Sequence, residues 1–240
     1  MARVLFGVML AVVISTAAAH GQSSSREALA DAARAFDEAA LRLGDDNARP
    51  VPVRKWMAPI RLIFDNPRAA PNLVELTRAA LKTDAAETGI AVIDLDAGDK
   101  SANFIVYFDE NGLSGQSGSC FGGARWRKDF VIISGQLRIN PARIMDIDRC
   151  AIHEPLHALG FSSHPHAALS VLSYVYKAQR TLTPLDRNLL HTLYDQRLAP
   201  GTKPEPASQL ACRILGERMN AAAADIEAVC RDRKGPTPAI

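Results

Sequence analysis

The segment His153-Glu154-Pro155-Leu156-His157-Ala158-Leu159-Gly160-Phe161-Ser162-Ser163-His164-Pro165-His166 holds four of the six histidines of a 240-residue chain. If residues from about 148 to 159 form a helix, His153 and His157 stand four apart and project from one face. There two imidazole nitrogens can reach a common ion at about 2.0–2.1 Å. Glu154 is turned about 100° from His153, so it stays off the ion but can take a proton from a water beside it. With six histidines and nine glutamates in the chain, roughly 0.006 chance matches to H-E-x-x-H are expected, so the spacing carries information. Gly160 lies three residues after His157, where a helix ends and the chain turns back toward the same ion. His164 is the third candidate ligand, with His166 and His191 as alternatives. Zn²⁺ is the metal that suits such a donor set.

Upstream, Leu29, Ala33, Phe36, Ala40 and Leu43 recur at helical spacing across Arg26 to Leu43, and Gly44 stops the pattern. Asp45 to Pro52 reads as a polar connection, and Pro59 to Phe64 alternates as a strand. Leu73, Leu76, Ala80 and Leu81 form the stripe of a helix over Leu73 to Thr88, closed by Gly89. Ile90 to Leu95, Asn103 to Phe108 and Phe130 to Ser134 read as short strands, and the glycine-rich Asn111 to Gly123 as a long loop. Strands interleaved with helices predict a mixed α/β (α+β) architecture in which helices pack on a twisted sheet. Asp146 and Asp148 are placed to cap the motif helix. Downstream, Thr183 caps a helix over Leu185 to Tyr194, with Pro184 in its first turn. Ala207 to Arg231 is helical by composition, but one straight helix would hold Cys212 and Cys230 about 27 Å apart. Pairing them requires a helical hairpin, and Asn220 is the natural turn.

Composition excludes other classes. The chain has 28 Lys+Arg against 26 Asp+Glu, a net charge of +2, with 48% hydrophobic and 22% charged residues. These values rule out disorder and argue against a nucleic-acid partner. Residues 1–19, with Arg3, an apolar run from Val4 to Ile14 and Ala17 to Ala19, have the layout of a secretory signal peptide. Export follows, periplasmic or secreted, with no stable membrane insertion after its removal. An even set of four cysteines then favours disulfides, and spacing favours Cys120 with Cys150 and Cys212 with Cys230. The expected organisation is a signal peptide over 1–19, one catalytic-type domain over 20–199, and a linker with a C-terminal helical extension over 200–240. The sequence sets no oligomeric state.

The motif region resembles the metzincin metallopeptidases, whose pattern is H-E-x-x-H-x-x-G-x-x-H followed by a methionine-bearing turn. His157-Ala158-Leu159-Gly160-Phe161 is similar to the astacin and matrix-metalloprotease version. Ser170-Val171-Leu172-Ser173-Tyr174 is similar to their S-I-M-x-Y turn. Leu182-Thr183-Pro184-Leu185-Asp186 and Leu193-Tyr194 are similar to the segments that open and close their last catalytic helix. The resemblance spans about residues 100 to 198. It implies a metzincin-like twisted mixed sheet with a central active-site helix, and a zinc metalloendopeptidase acting on a peptide or protein substrate. In it His153, His157 and His164 bind Zn²⁺ and Glu154 activates water, while Tyr174 either steadies the oxyanion or serves as an aromatic core residue. Asn103 to Phe108 would be either the sheet edge that receives an extended substrate or an ordinary core strand. Three positions depart from the pattern. His164 comes one residue late, with Ser163 in the family's slot; Leu172 replaces methionine; and Pro155 lacks the N–H that would bond the Ala151 carbonyl.

A second resemblance covers more of the chain. Trp56 with Pro59-Ile60-Arg61, the strands of Gly89 to Phe108, Cys120 with Gly122-Gly123, Cys150 and the Leu182 to Leu198 ending look like a bacterial exported family known only as a domain of unknown function. Many of its members lack histidine at one end of the motif. That resemblance implies an alternative, a catalytically inactive zinc-binding envelope protein with a structural or interaction role. An interaction module with incidental histidines is a further alternative.

Overall fold

Alternating burial along the apolar segments builds the sheet. Residues 25–44, 49–65, 70–108, 120–141, 147–166, 168–175 and 178–235 are described by a computed structural model. The expected signal peptide and the expected cap Asp146 lie outside the described residues. Helix α1 spans residues 25–40 and leads into a two-stranded hairpin, β1 (Arg42–Leu43) and β2 (Arg49–Pro50). Then follow β3 (Lys55–Trp56), β4 (Ile60–Asp65), α2 (Pro71–Ala86), β5 (Val92–Asp94), β6 (Phe104–Phe108), β7 (Cys120–Trp126) and β8 (Val131–Ile139). The motif helix is α3 (Ile147–Ala158), and α4 (Pro184–Leu193), α5 (Pro204–Arg218) and α6 (Ala223–Cys230) complete the chain.

The result is a mixed α/β fold with a mostly parallel six-stranded sheet. β4 pairs in parallel with β5 and with β6, and β6 pairs in parallel with β8. β3 joins β8 in parallel at Lys55↔Val131 and Trp56↔Ile132. β7 runs antiparallel to β8 from Cys120↔Ile139 to Trp126↔Ile132. Residues of β8 that pair with β3 or β6 also pair with β7. Since a strand has two edges, β3 and β6 share one and β7 takes the other. This selects the core-strand reading of Asn103 to Phe108 over the edge reading: β6 is enclosed between β4 and β8, while β7 and β5 lie at edges. It also corrects the loop assigned to Asn111 to Gly123, because Cys120 to Gly123 open β7.

Glycine is compatible with this strand because β7 lies against α3. A Cβ built on Gly122 would stand 2.2 Å from the backbone carbonyl oxygen of Glu154, so only a residue without a side chain fits. The Cys120–Cys150 disulfide, with Cα atoms 5.8 Å apart, ties the start of β7 to α3. The second expected bridge, Cys212–Cys230, closes the α5–α6 hairpin, which turns at Asn220 with φ +54°. Both bridges fit an oxidising, exported environment. Among the described residues no helix is long and apolar enough to cross a membrane.

Pro155 lies inside α3, yet the helix continues past it, and the Leu159 N–H bonds the Pro155 carbonyl at 2.9 Å. The last carbonyls of α3 are met by side chains: Trp56 Nε1 donates to Ala158 O at 3.0 Å, and Tyr194 Oη to Leu159 O at 2.8 Å. Gly160 then turns the chain at φ +123°, a conformation open to glycine. Thr183 caps α4 in a full capping box with Asp186, as its sequence predicts. Asp148 stands in the first turn of α3, inside the helix rather than at its cap.

Glu87 at the end of α2 pairs with Arg187 and, at 2.9 Å, with His191 of α4. Close by, Asp84 is 1% exposed and its Oδ2 has no hydrogen-bond partner. Burial, reinforced by the charge of Asp186, pushes its carboxyl well above the ordinary 3.8. In the unfolded chain this group gives up its proton near the ordinary value, while the native state retains it. The native state therefore binds more protons in that interval, and stability falls as pH rises. Asp84→Asn should raise the melting temperature at pH 7 by about 2–4 °C, the shift that accompanies roughly 1 kcal/mol in a chain of this size. The gain should shrink toward pH 4, as thermal scans across pH will show.

Candidate metal centre

Two backbone carbonyls set the chemistry of the histidine cluster. His153 Nδ1 lies 2.8 Å from Val171 O, and His157 Nδ1 lies 2.7 Å from Phe161 O. A carbonyl oxygen can only accept, so each Nδ1 carries the hydrogen and each neutral ring turns its Nε2 lone pair toward the cluster. Those lone pairs meet: His157 Nε2 is 3.0 Å from His153 Nε2, and His164 Nε2 is 3.1 Å from each. Two acceptors facing at 3.0 Å make no hydrogen bond, and His164 could lend a proton to only one of them. A cation shared by all three satisfies the arrangement.

The dimensions fit one ion. Tetrahedral zinc at about 2.0–2.1 Å from nitrogen spaces its ligand atoms about 3.3–3.4 Å apart, so the triangle needs to open by only a few tenths of an ångström. His153, His157 and His164 form a group that could hold a metal ion. His153 is buried, and that burial, with its two histidine neighbours, holds its pKa well below 6.5. A neutral imidazole is the form that ligates. The alternatives stand elsewhere. The His166 side chain is 68% exposed and sits 3.8 Å from Glu38, and His191 pairs with Glu87.

Each ligand has a structural reason for its place. α3 presents His153 and His157 one turn apart, and the turn at Gly160 returns the chain so that His164 closes the triangle. The segment carrying Val171 is fixed from α4: Asp186 accepts from Ser170 Oγ at 2.5 Å and from Val171 N–H at 3.1 Å. Asp186 therefore holds the carbonyl that orients His153, an outer-shell support of the kind metal sites need. The sequence gives Thr183 its capping role but Asp186 no link to the site; its place three residues after the cap is the signal that was there to find. Leu172, in the position of the family's methionine, is 1% exposed.

Glu154 is buried against β7, where the Gly122 N–H donates to its carboxylate. Burial raises its carboxyl to about 7, against the opposing effects of that N–H and of Arg149. It can thus exchange a proton near neutrality. Tyr174 is half exposed and stacks on His164 with ring centroids 3.8 Å apart. All five expected site residues line one cavity of about 710 Å³. β7 forms its wall, running from the Cys120–Cys150 bridge beside Arg149 to Trp126. Sequence reasoning missed Arg54, Arg149 and Trp126, since an isolated arginine or tryptophan carries no spacing signal.

The fold and site together define a class: a mixed α/β chain with a three-histidine group able to hold a metal ion in a cleft beside a sheet edge. No protein-family model matches the chain, and no curated protein matches it. The mixed fold and the three histidines are loosely compatible with a metzincin-like zinc site.

The Gly122 contact is testable. Gly122→Ala forces a methyl group into the Glu154 backbone, and since backbone cannot step aside as a side chain does, β7 and α3 must part. A loss of about 1–3 kcal/mol is expected, together with weaker metal binding. Gly123→Ala, whose Cβ would meet only the Phe121 side chain, should cost less in the same chemical denaturation and metal titrations.

Proposed function

We propose that the chain is an exported zinc metallopeptidase that hydrolyses peptide bonds in the cleft beside β7. The observation that carries this reading is the convergence of the Nε2 atoms of His153, His157 and His164 at 3.0–3.1 Å from one another, with a carbonyl behind each of the first two rings. Zinc bound there would supply a Lewis acid and bring the pKa of a water toward about 7.

The chain's own groups would do the rest. Glu154, with its carboxyl raised to about 7, takes a proton from the attacking water and delivers it to the departing amine. Tyr174, stacked on His164, offers a hydroxyl toward the oxygen that gains charge in the tetrahedral state. β7 is paired only with β8 among the described strands. Its outer edge is thus suited to accept an extended peptide as an added strand.

A second reading, a zinc-binding envelope protein without turnover, is favoured by one observation. Glu154 is 7% exposed and already engaged by the Gly122 N–H.

Elemental analysis and peptide-library cleavage separate these readings. The purified protein should hold one zinc per chain, His157→Ala should lose it, and Glu154→Gln should keep it while cleavage falls by about 10²–10⁴-fold. Equal metal in the native chain and in His157→Ala would overturn the metal site. Stoichiometric zinc with no cleavage by the native chain would select the second reading.

A further inference from the structure

At the Trp126 end of the cleft stands a buried cation with no counter-ion among the described residues. Arg54 is 2% exposed, yet it lines the same cavity as the histidines. Its guanidinium lies 4.6 Å from the centre of the Trp126 ring, and Nη2 donates to the Ser162 hydroxyl. Its Nε is buried without a hydrogen-bond partner. Among the described residues no carboxylate pairs with it; burial, with the like charge of Arg49, lowers its pKa to about 10 and leaves it cationic at neutral pH. Burying an unpaired cation is costly, and native structures seldom do so without a partner.

Among the described residues the cleft supplies no such partner. Of the described charged side chains that line it, Arg54 and Arg149 are cations and Glu154 is the only carboxylate. Glu154 is held by Gly122 in the middle of β7. Arg149 has its own acceptor, Ser173 O at 2.8 Å. A divalent ion on the histidines would add positive charge. The missing component is an anion, and a planar guanidinium stacked on an indole offers its in-plane N–H groups in the fork that matches a carboxylate.

We propose that Arg54 is the carboxylate-binding residue of the cleft, and that the substrate carries an acidic group which docks beside Trp126. This rests on the peptidase reading in taking the substrate to be a peptide. The carboxylate has two possible sources. A peptide paired antiparallel with β7 would place an Asp or Glu side chain there, on the amino-terminal side of the cleaved bond. A peptide paired parallel with β7 would place its terminal carboxylate there.

Binding of N-acetylated alanine-based hexapeptides, with Glu or Gln at each position and a free or amidated carboxyl terminus, tests the assignment in the zinc-loaded protein. Titration calorimetry reads the affinity, and Trp126 fluorescence reads the site. The native chain should bind at least one carboxylate-bearing peptide about tenfold more tightly than its amide counterpart. Preference for internal Glu identifies the side chain, and preference for the free terminus identifies the α-carboxylate. Arg54→Gln should abolish the preference while zinc content stays at one per chain, and Arg54→Lys should retain part of it. Equal binding of acid and amide forms by the native chain overturns the proposal, as does absence of peptide binding or a preference that survives in Arg54→Gln. Should Arg54→Gln fail to fold, the acid–amide comparison on the native chain decides alone. Cleavage is scored separately: a preference without hydrolysis spares the subsite and removes the peptidase reading, and hydrolysis without a preference does the reverse.

Discussion

The carbonyls of Val171 and Phe161 decide what the histidine cluster can be. Each fixes one ring nitrogen as a donor, so the opposite nitrogen of each ring must face its neighbour as an acceptor. Without these carbonyls the two rings could exchange a proton and settle as a hydrogen-bonded pair. With them, the Nε2 atoms of three rings are turned toward one point, and the group could hold a metal ion there. The rest of the molecule can be read as the means of delivering those two oxygens. One comes from the turn after α3, made possible by Gly160. The other comes from a loop anchored to the first turn of α4 by Asp186.

The sheet serves the same end. β8 is long enough to pair with β3 and β6 along one edge and still carry β7 along the other. The helix bearing the motif then packs on β7 closely enough that the contact is backbone against backbone at Gly122 and Glu154. Glu154 is thereby drawn into the cleft wall, where the loss of solvent raises its proton affinity toward neutrality. The same packing that excludes a side chain at residue 122 thus prepares the acid for proton transfer.

Much of this was legible in the sequence wherever a local rule applied. Apolar periodicity located α1, α2 and the strands around Ile60 and Phe104, and the Thr183-Pro184 pair marked the start of α4. The helical hairpin followed from requiring Cys212 to meet Cys230. H-E-x-x-H named two members of the cluster, and the glycine after it pointed to a third. What stayed hidden depended on distant partners. β7 looked like a loop because its glycines answer to α3 rather than to strand propensity. The enclosed position of β6 depended on pairings made with segments far along the chain. Arg54 was silent because its place beside Trp126 and Ser162 is set by segments far along the chain. Pro155, a departure on paper, is accommodated because the helix closes its next turn without the missing N–H.

The bridge between Cys120 and Cys150 joins the two walls of the cleft, one residue after Arg149 on α3 and two residues before Gly122 on β7. The edge strand and the ligand-bearing helix are therefore one covalent unit at that end of the groove, whereas at the Trp126 end β7 is secured by its ladder to β8, where Trp126 pairs with Ile132. In a reducing solution the covalent tie is lost, and what then seats the strand on the helix is the backbone contact of Gly122 with Glu154.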